Sequence, residues 1–360
     1  MSYPSRRESR PVKVGNLVIG GGAPITVQSM TNTDPHDARA TLRQVRALAE
    51  AGCDIVRLSI PDVSSAGIFF ALKEAGVTVP LVADIHFDWR IALEAVAAGA
   101  DKIRINPGNI GDPARVRDVA RACKTAGVPI RVGVNSGSLE KEILARYGGP
   151  TPEALVESAL GHARLLEAVD FEDTVLSVKA SSVVDTILAN RLLAERTPYP
   201  LHLGVTEAGG VHNGTVKSAV GIGTLLAEGI GDTVRVSLTA DPLEEVPAAR
   251  AILTALGLSG KPQMNVVSCP TCGRTKTDLI ALLAEFEAAV EREGLSHLPV
   301  TVALMGCAVN GPGEAREADL GIACGVDEAL LFARGEVIGK YPRDQIVPAL
   351  IKRLKDEQYE

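Results

Sequence analysis

Aromatic residues are scarce in this sequence of 360 residues, where Phe, Trp and Tyr together make up 3%. Hydrophobic residues nevertheless account for 46% and charged residues for 22%, so a packed globular core is expected. That core has to consist of Val, Ile, Leu and Ala, which is typical of parallel strands covered by helices. No apolar run reaches the roughly 18 residues of a membrane span, so we expect no membrane partner.

Positive charge is not in excess either. Lys and Arg number 37 against 44 Asp and Glu, a formal net charge of −7, which gives no reason to expect nucleic acid as a partner. The segment 1–10 is polar and basic with no apolar stretch behind it, so no secretory signal is visible and a frayed tail is expected. The sequence has only six Cys residues, too few for a disulfide scaffold. These features predict a cytoplasmic protein, in which cysteines at ligand spacing indicate metal.

Short runs rich in Val, Ile and Leu alternate with longer runs of helical periodicity. Eight β-then-α units predict a (β/α)8 TIM barrel, which is typically ~250 residues long. A doubly wound open sheet is the alternative, but it normally has fewer strands, and no GxGxxG motif follows the first one. The predicted strands are Ile25–Met30, Asp54–Ile60, Leu81–Phe87, Lys102–Asn106, Ile130–Asn135, Thr174–Ala180, Leu201–Glu207 and Thr233–Thr239.

This alternation stops after Leu256, where the segment 257–262 has the composition of a linker. We therefore predict two domains, a barrel over residues 1–258 and a small α+β domain over residues 259–360. In the second domain the pattern predicts two helices and four strands. The strands are expected at Asn265–Ser268 and Val300–Met305, and around Leu320–Ala323 and Glu336–Gly339; the helices are expected at Asp278–Glu291 and from Arg343 onwards.

Polar residues share one face of several predicted barrel strands, while the opposite faces are mostly Val, Ile, Leu or Ala. Side chains alternate along a strand, and the apolar face of a barrel strand meets the helices. The polar face should therefore point into the barrel, toward the carboxyl-terminal mouth where barrel enzymes keep their active sites. The residues singled out on this basis are Thr26, Gln28, Met30, Arg57, Ser59, Asp84, His86, Arg104, Asn106, Arg131, Asn135, Ser177, Lys179, Ser181, Arg235 and Ser237.

Five of these residues are cations, and the acids that could meet them are few, chiefly Asp84 and Glu207. A buried unpaired charge is costly, and Arg binds phosphate in a bidentate manner. The pattern thus predicts a ligand with two phosphates or a diphosphate, although any single Arg could instead pair with a helix carboxylate. His86 alone could be a packed core residue. Glu207 is either an acid–base group or an ion-pair partner of Lys179 or Arg235.

Cys269 and Cys272 form a CxxC motif directly after a predicted strand. Cys307 follows after 34 intervening residues, and Glu314 after six more. Two cysteines at this spacing can hold one metal through a tight turn. The motif alone is also compatible with a redox dithiol or with half of a zinc site.

Three interpretations of the cysteines therefore stay open at this point. A structural zinc site needs four ligands, for which Cys324 and His297 are available. A thioredoxin-type dithiol would lie at a helix N-terminus and would not need Cys307. A four-iron cluster could be held by the three cysteines, with Glu314 in its fourth position.

With these motifs the sequence closely resembles the bacterial two-domain form of the 4-hydroxy-3-methylbut-2-enyl diphosphate synthase family. The resemblance extends from about Val14 to the C-terminus. The matching segments are residues 27–33, 83–88, 104–111, 133–139, 177–181, 206–210, 269–274 and 310–314.

The resemblance implies an iron–sulfur oxidoreductase of isoprenoid biosynthesis. It would open the ring of 2-C-methyl-D-erythritol 2,4-cyclodiphosphate reductively and remove a hydroxyl, giving 4-hydroxy-3-methylbut-2-enyl diphosphate, with flavodoxin or ferredoxin as electron donor. It also implies a homodimer in which the barrel of one chain faces the cluster of the other. The remaining alternatives are a barrel lyase or transferase with a structural zinc domain, and a non-catalytic iron–sulfur sensor.

The resemblance also assigns roles to individual residues. It implies a [4Fe–4S] cluster held by Cys269, Cys272, Cys307 and Glu314, and catalytic roles for Glu207 and Glu314. A carboxylate is a weaker iron ligand than a thiolate, so the substrate could displace Glu314. The residues expected to bind the substrate are Arg57, Asp84, His86, Arg104, Arg131, Asn135, Lys179, Arg235, Ser237 and Asn310.

Overall fold

The computed structural model describes residues 5–106, 110, 113–260, 263–307, 313 and 316–356. The chain divides into two compact units, Met1–Leu258 and Ser259–Glu360. Asn310, which is predicted to bind the substrate, and Glu314, which is predicted to bind the cluster, lie outside the described residues. Among the described helices, none combines the length and the apolar character that crossing a membrane requires.

Parallel strands form the centre of the first unit. After two short strands, β1 (Val12–Val14) and β2 (Leu17–Ile19), the barrel strands are β3 (Thr26–Met30), β4 (Ile55–Ser59), β5 (Leu81–Asp84), β6 (Lys102–Ile105), β7 (Ile130–Asn135), β8 (Thr174–Lys179), β9 (His202–Leu203) and β10 (Thr233–Val234). Within the described residues, these eight strands form one sheet in the order β8–β7–β6–β5–β4–β3–β10–β9, and a parallel bridge between Leu176 and Leu201 joins its two ends. The predicted TIM barrel is therefore confirmed as a nearly closed one, and the open sheet is wrong.

Helices cover the outside of the barrel, and one large apolar cluster fills the space between helices and strands. Capping residues and glycines mark the ends of these helices. Pro152 opens a helix whose first turn is capped by the Thr151 side chain, and Gly52 and Gly99 follow helices with φ of +94°. The helices of this unit are Ala38–Glu50, Ile68–Glu74, Trp89–Ala97, Pro113–Ala126, Lys141–Tyr147, Pro152–Glu167, Val183–Arg196, Val211–Ala227 and Glu245–Ala255.

The antiparallel pair of β1 and β2 closes the N-terminal end of the barrel. Val12, Val14 and Ile19 form a buried cluster with apolar residues near the starts of barrel strands, among them Ile55 and Val175. Strand alternation places Ile55 on the same inward face as Arg57. The barrel interior is therefore apolar at this end, and polar residues begin above it.

The expectation of a frayed N-terminal tail is wrong for residues 5–10. Arg6 forms an ion pair with Asp232 at 3.2 Å, and the Ser9 hydroxyl donates to the same carboxylate at 2.8 Å. Arg7 donates to two backbone carbonyls of the loop after the Val183–Arg196 helix. These partners are about 190 to 226 residues away along the chain, so the local sequence carries no sign of them.

The seventh and eighth barrel strands are much shorter than the predicted Leu201–Glu207 and Thr233–Thr239. The physical reason lies at Gly204, where an added Cβ would be 2.6 Å from Nζ of Lys179 and 2.7 Å from the carbonyl oxygen of Arg235. The chain beyond β9 makes room for the Lys179 side chain, and regular pairing stops there.

The second unit contains a mixed sheet, whose strands within the described residues are β11 (Asn265–Ser268), β12 (Thr301–Met305), β13 (Leu320–Cys324), β14 (Glu328–Ala333) and β15 (Glu336–Pro342). Their order in the sheet is β11–β12–β13–β14–β15. Strands β11, β12 and β13 are parallel to one another, and β14 pairs antiparallel with both β13 and β15. The helices Leu279–Arg292 and Ile346–Asp356 pack on it through one apolar cluster. Strand β14 escaped the sequence analysis because Glu, Ala and Leu favour helices.

Candidate active site

The polar faces of the barrel strands converge on a cavity of about 120 Å³ toward the carboxyl ends of the strands. Every residue that the sequence predicted to bind substrate, and that the structure describes, lines this cavity. The lining consists of Arg57, Asp84, His86, Arg104, Arg131, Gly133, Asn135, Ser177, Lys179, Thr206, Arg235 and Ser237. Among the described residues, five cations and one carboxylate face this cavity, so its charge favours an anionic ligand.

Asp84 is the carboxylate of the lining, and it holds two of the cations. Nη1 of Arg104 donates to it at 3.1 Å, and Nε of Arg57 lies 3.7 Å from its other oxygen. Burial alone would raise the pKa of Asp84, but the charges of Arg57 and Arg104 outweigh burial and lower it to about 2. Asp84 is therefore ionised at neutral pH, and it orients cations rather than donating a proton.

His86 lies at the mouth of the cavity rather than in the core. Its side chain is 48% exposed, and Nε2 is 3.9 Å from the Asp84 carboxylate. The possibility of a packed core histidine is therefore wrong. An imidazole in this place can contact both a ligand in the cavity and solvent.

Glu245 is an acid that the sequence analysis missed. It is buried at the start of the Glu245–Ala255 helix, where Arg235 donates to it through Nε at 3.1 Å and through Nη2 at 3.0 Å. The Ser29 hydroxyl donates to it at 2.8 Å. Glu245 therefore neutralises Arg235. Sequence alone does not distinguish it from the neighbouring Glu244.

Glu207 does not form the predicted alternative ion pairs with Lys179 or Arg235 in the described part of the chain. It is exposed, it follows the cavity-lining Thr206, and its φ of +54° lies in the left-handed region. A non-glycine residue is strained in this conformation, and such strain tends to persist at functional sites. The placement leaves the carboxyl group available for acid–base chemistry at the cavity rim.

Among the five cations that line the cavity, Arg131 and Lys179 have the weakest compensation. Nε and Nη1 of Arg131 have no hydrogen-bond partner among the described residues, and Nζ of Lys179 lies 3.4 Å from Nε2 of His202. Burial, and then the neighbouring cations, lower the pKa of both Arg131 and Lys179. Their charged forms are thus destabilised until an anion binds beside them.

Gly133 and Gly204 make room for these cations. A Cβ on Gly133 would lie 2.7 Å from Nε of Arg104, and Arg104 also donates to the Gly133 carbonyl at 3.2 Å. Gly204 is close to Lys179 in the same way. Each of these glycines comes two residues after an inward-facing polar residue. That spacing indicates a position where a neighbouring cation needs space, but it can be interpreted only once the strand partners are known.

The cysteines of the second unit lie at neighbouring strand ends. Cys269 follows β11, Cys307 lies just after β12, and the two strands are paired. The amide of Gly306 donates to Sγ of Cys269 at 3.3 Å. The loop that carries Cys272 is tied to the same place, because the amide of Lys276 donates to the Gly306 carbonyl at 2.8 Å. The backbone thus brings the three cysteines to one end of the sheet.

The donor set at this end consists of thiols. Hydrogen bonds from the backbone and side chain of Arg274 lower the pKa of the Cys272 thiol, which favours the thiolate that metals bind. The described residues by themselves contain no cluster of three or more His, Cys, Asp or Glu side chains arranged to hold a metal ion. Three thiols on anchored loops, with further residues of the segment 308–315 nearby in sequence, fit an iron–sulfur cluster.

Both alternative uses of the cysteines fit the structure less well. His297 precedes β12, whereas Cys307 follows it, so the two lie at opposite ends of that strand. Cys324 ends β13 at the same end of the sheet, but its side chain is buried within the apolar cluster beneath the helices. The helix after the CxxC motif begins only at Leu279, so Cys272 is not at a helix N-terminus, where a thioredoxin-type dithiol would be.

Comparisons with known proteins cover both units. The family model described as the GcpE TIM-barrel domain matches residues 9–250, and that of the GcpE protein C-terminal domain matches residues 265–356. The chain is 56% identical over 351 residues to 4-hydroxy-3-methylbut-2-en-1-yl diphosphate synthase (flavodoxin) of Ruminiclostridium cellulolyticum, covering 98% of each chain. It is 54% identical over 353 residues to the synthase of the same name from Clostridium perfringens, covering 98% of this chain and 99% of that one.

A solved structure adds to the comparison of the fold. Type I 3-dehydroquinate dehydratase from Clostridium difficile superposes with a TM-score of 0.51 at 13% identity, covering 69% of this chain and 98% of that one. At this identity the likeness concerns the barrel fold alone.

Proposed function

The chain belongs to the GcpE family of 4-hydroxy-3-methylbut-2-en-1-yl diphosphate synthases, and from this premise we propose which residues carry out the reaction. That reaction is the reduction of 2-C-methyl-D-erythritol 2,4-cyclodiphosphate to 4-hydroxy-3-methylbut-2-enyl diphosphate in the non-mevalonate isoprenoid pathway. The observation that supports the residue assignment best is the barrel cavity, where five cations face a single carboxylate among the described residues.

The diphosphate of the substrate is bound by the cations of this cavity. Arg131 and Lys179 supply buried charges with little compensation, while Arg57 and Arg104 are held in place by Asp84. Guanidinium groups bind phosphate oxygens through paired hydrogen bonds, which also fix the orientation of the ring. Asn135, Ser237 and Arg235 line the remaining wall, and Asn310, outside the described residues, is proposed to contact the substrate as well.

The loss of the hydroxyl as water requires a proton. Asp84 does not supply it, because its pKa is lowered to about 2. Glu207 is exposed at the rim, on the strained residue that follows Thr206 of the lining, and we assign the proton transfer to it. His86 is placed to bind the substrate from the mouth of the cavity.

A [4Fe–4S] cluster would be held by Cys269, Cys272 and Cys307, with Glu314 as the fourth ligand. When bound, such a cluster supplies single electrons and a Lewis-acidic iron. The proposed electron donor is flavodoxin or ferredoxin. The names of the relatives include flavodoxin. The homodimer and the cytoplasmic location stay predictions from the sequence and its resemblance.

Anaerobic purification followed by iron and sulfide analysis tests the proposed function. We expect about four iron and four sulfide ions per chain and turnover of the cyclodiphosphate by dithionite with a viologen mediator. A colourless protein with one zinc and no sulfide would favour a lyase or transferase. An intact cluster without turnover would favour a sensor.

Gly133→Ala is expected to raise KM for the cyclodiphosphate on the order of tenfold, because the new methyl group displaces Arg104 from its place beside Asp84. Steady-state kinetics measures this. The matched control is Gly137→Ala, since an added Cβ there meets nothing within 4 Å. Equal KM values for the two variants would contradict the proposed role of Gly133.

A further inference from the structure

Below the cavity, the barrel interior contains a second set of inward-facing polar residues. Lys102 precedes Arg104 by two positions on β6, and His202 of β9 lies in register with Thr233 of β10. Gln28 is a further member on β3, two residues after Thr26, which lies in register with Thr233. Lys102, His202, Thr233 and Gln28 are each at most 1% exposed. Barrel interiors at such positions are usually filled by Val, Ile and Leu, so a polar layer here is unusual and indicates a functional role.

Lys102 is the most unusual member of this layer. Its Nζ has no hydrogen-bond partner among the described residues, although the side chain is completely buried. Burial, and then the charges of Arg131 and Arg57, lower the pKa of Lys102. Two like charges therefore act on a group that has already lost its hydration, which is strongly unfavourable for the protein alone.

The geometry connects Lys102 to Arg131. Strands β6 and β7 are neighbours, and Arg104 pairs with Arg131 in their register. Lys102, two residues before Arg104 on the same face, therefore lies toward the floor of the barrel relative to Arg131. Because the two cations repel each other, the Arg131 guanidinium is favoured on the cavity side, where its Nε and Nη1 have no partner among the described residues.

We propose that Lys102 is a positioning residue for substrate binding: it keeps Arg131 directed toward the cavity and adds a buried positive charge that the diphosphate of the substrate balances. This inference rests on the proposed function, because it takes the cavity to be the diphosphate site. Lys102 does not touch the substrate. It acts through the position of Arg131 and through the positive electrostatic potential at the floor of the cavity.

The test is Lys102→Met, which keeps an unbranched side chain, one atom shorter, and removes the ammonium group. We expect KM for the cyclodiphosphate to rise on the order of tenfold, with kcat within about twofold of the parent enzyme. The thermal midpoint of unfolding should stay the same or rise, because a buried uncompensated charge is removed. The matched control is Thr233→Val in the same layer. It removes a buried hydroxyl that has no partner among the described residues, and we expect it to leave KM unchanged.

An unchanged KM in Lys102→Met would overturn the proposal. So would a fall in kcat and in the unfolding midpoint at constant KM, since that pattern indicates a structural role. A similar rise in KM for Thr233→Val would also overturn it, because the polarity of the layer rather than the charge would then be responsible. If the parent enzyme itself does not convert the cyclodiphosphate, the proposed function has failed instead.

Discussion

Arg131→Met is expected to lower kcat/KM for the cyclodiphosphate by about a thousandfold, mainly through a higher KM. Truncating one partner of a buried, hydrogen-bonded charge pair costs about 2–5 kcal/mol, and 4 kcal/mol corresponds to roughly a thousandfold. Arg131 is 2% exposed, and its Nε and Nη1 have no partner among the described residues, so we expect them to donate hydrogen bonds to the ligand. Steady-state kinetics, with the absorption spectrum of the cluster recorded in parallel, measures the effect.

Arg250→Met is the matched control for this variant. Arg250 is also a largely buried arginine of the barrel unit, but it forms an ion pair with Asp54 at 2.7 Å and does not line the cavity. We expect this control to lose stability while keeping its KM, because it strips a carboxylate of its partner. Arg131→Met should instead keep or gain stability. An unaltered KM in Arg131→Met, or the same loss in both variants, would remove Arg131 from the diphosphate site.

Cys307→Ala is expected to abolish turnover while the barrel stays folded. The variant removes one of the three proposed thiolate ligands of the cluster, so iron and sulfide analysis after anaerobic purification should show most of the cluster missing. The barrel should be unaffected because the apolar clusters of the two units are separate. Far-ultraviolet circular dichroism together with the metal analysis distinguishes loss of the cluster from loss of the fold.

Cys324→Ala provides the control, because it removes a buried cysteine of the same unit that packs in the apolar cluster. We expect it to retain iron, sulfide and turnover and to lose only a modest amount of stability. Loss of metal from Cys324→Ala to the same extent would restore the four-ligand zinc site as an explanation. Full iron content in Cys307→Ala would contradict the ligand assignment.

Much of the cavity was predictable because strand alternation is a local property. Arg104 and Arg131 face inward wherever their strands pair, since successive side chains point to opposite faces. The same rule would also have found Lys102, two residues before Arg104, had the predicted polar face been followed to the floor of the barrel. The spacing of Cys269 and Cys272 was similarly informative, because one tight turn brings them together.

What the sequence by itself determined is therefore the set of local patterns: the period of the strands, the ends of the helices and the side of each strand that is polar. Only the tertiary structure decided which charges neutralise each other. Arg235 is bound by Glu245 rather than Glu207, Glu245 also accepts from Ser29 at a separation of 216 residues, and Asp232 holds the N-terminal residue Arg6. These choices depend on side chains that meet only when the barrel closes, and closure is a property of the whole chain.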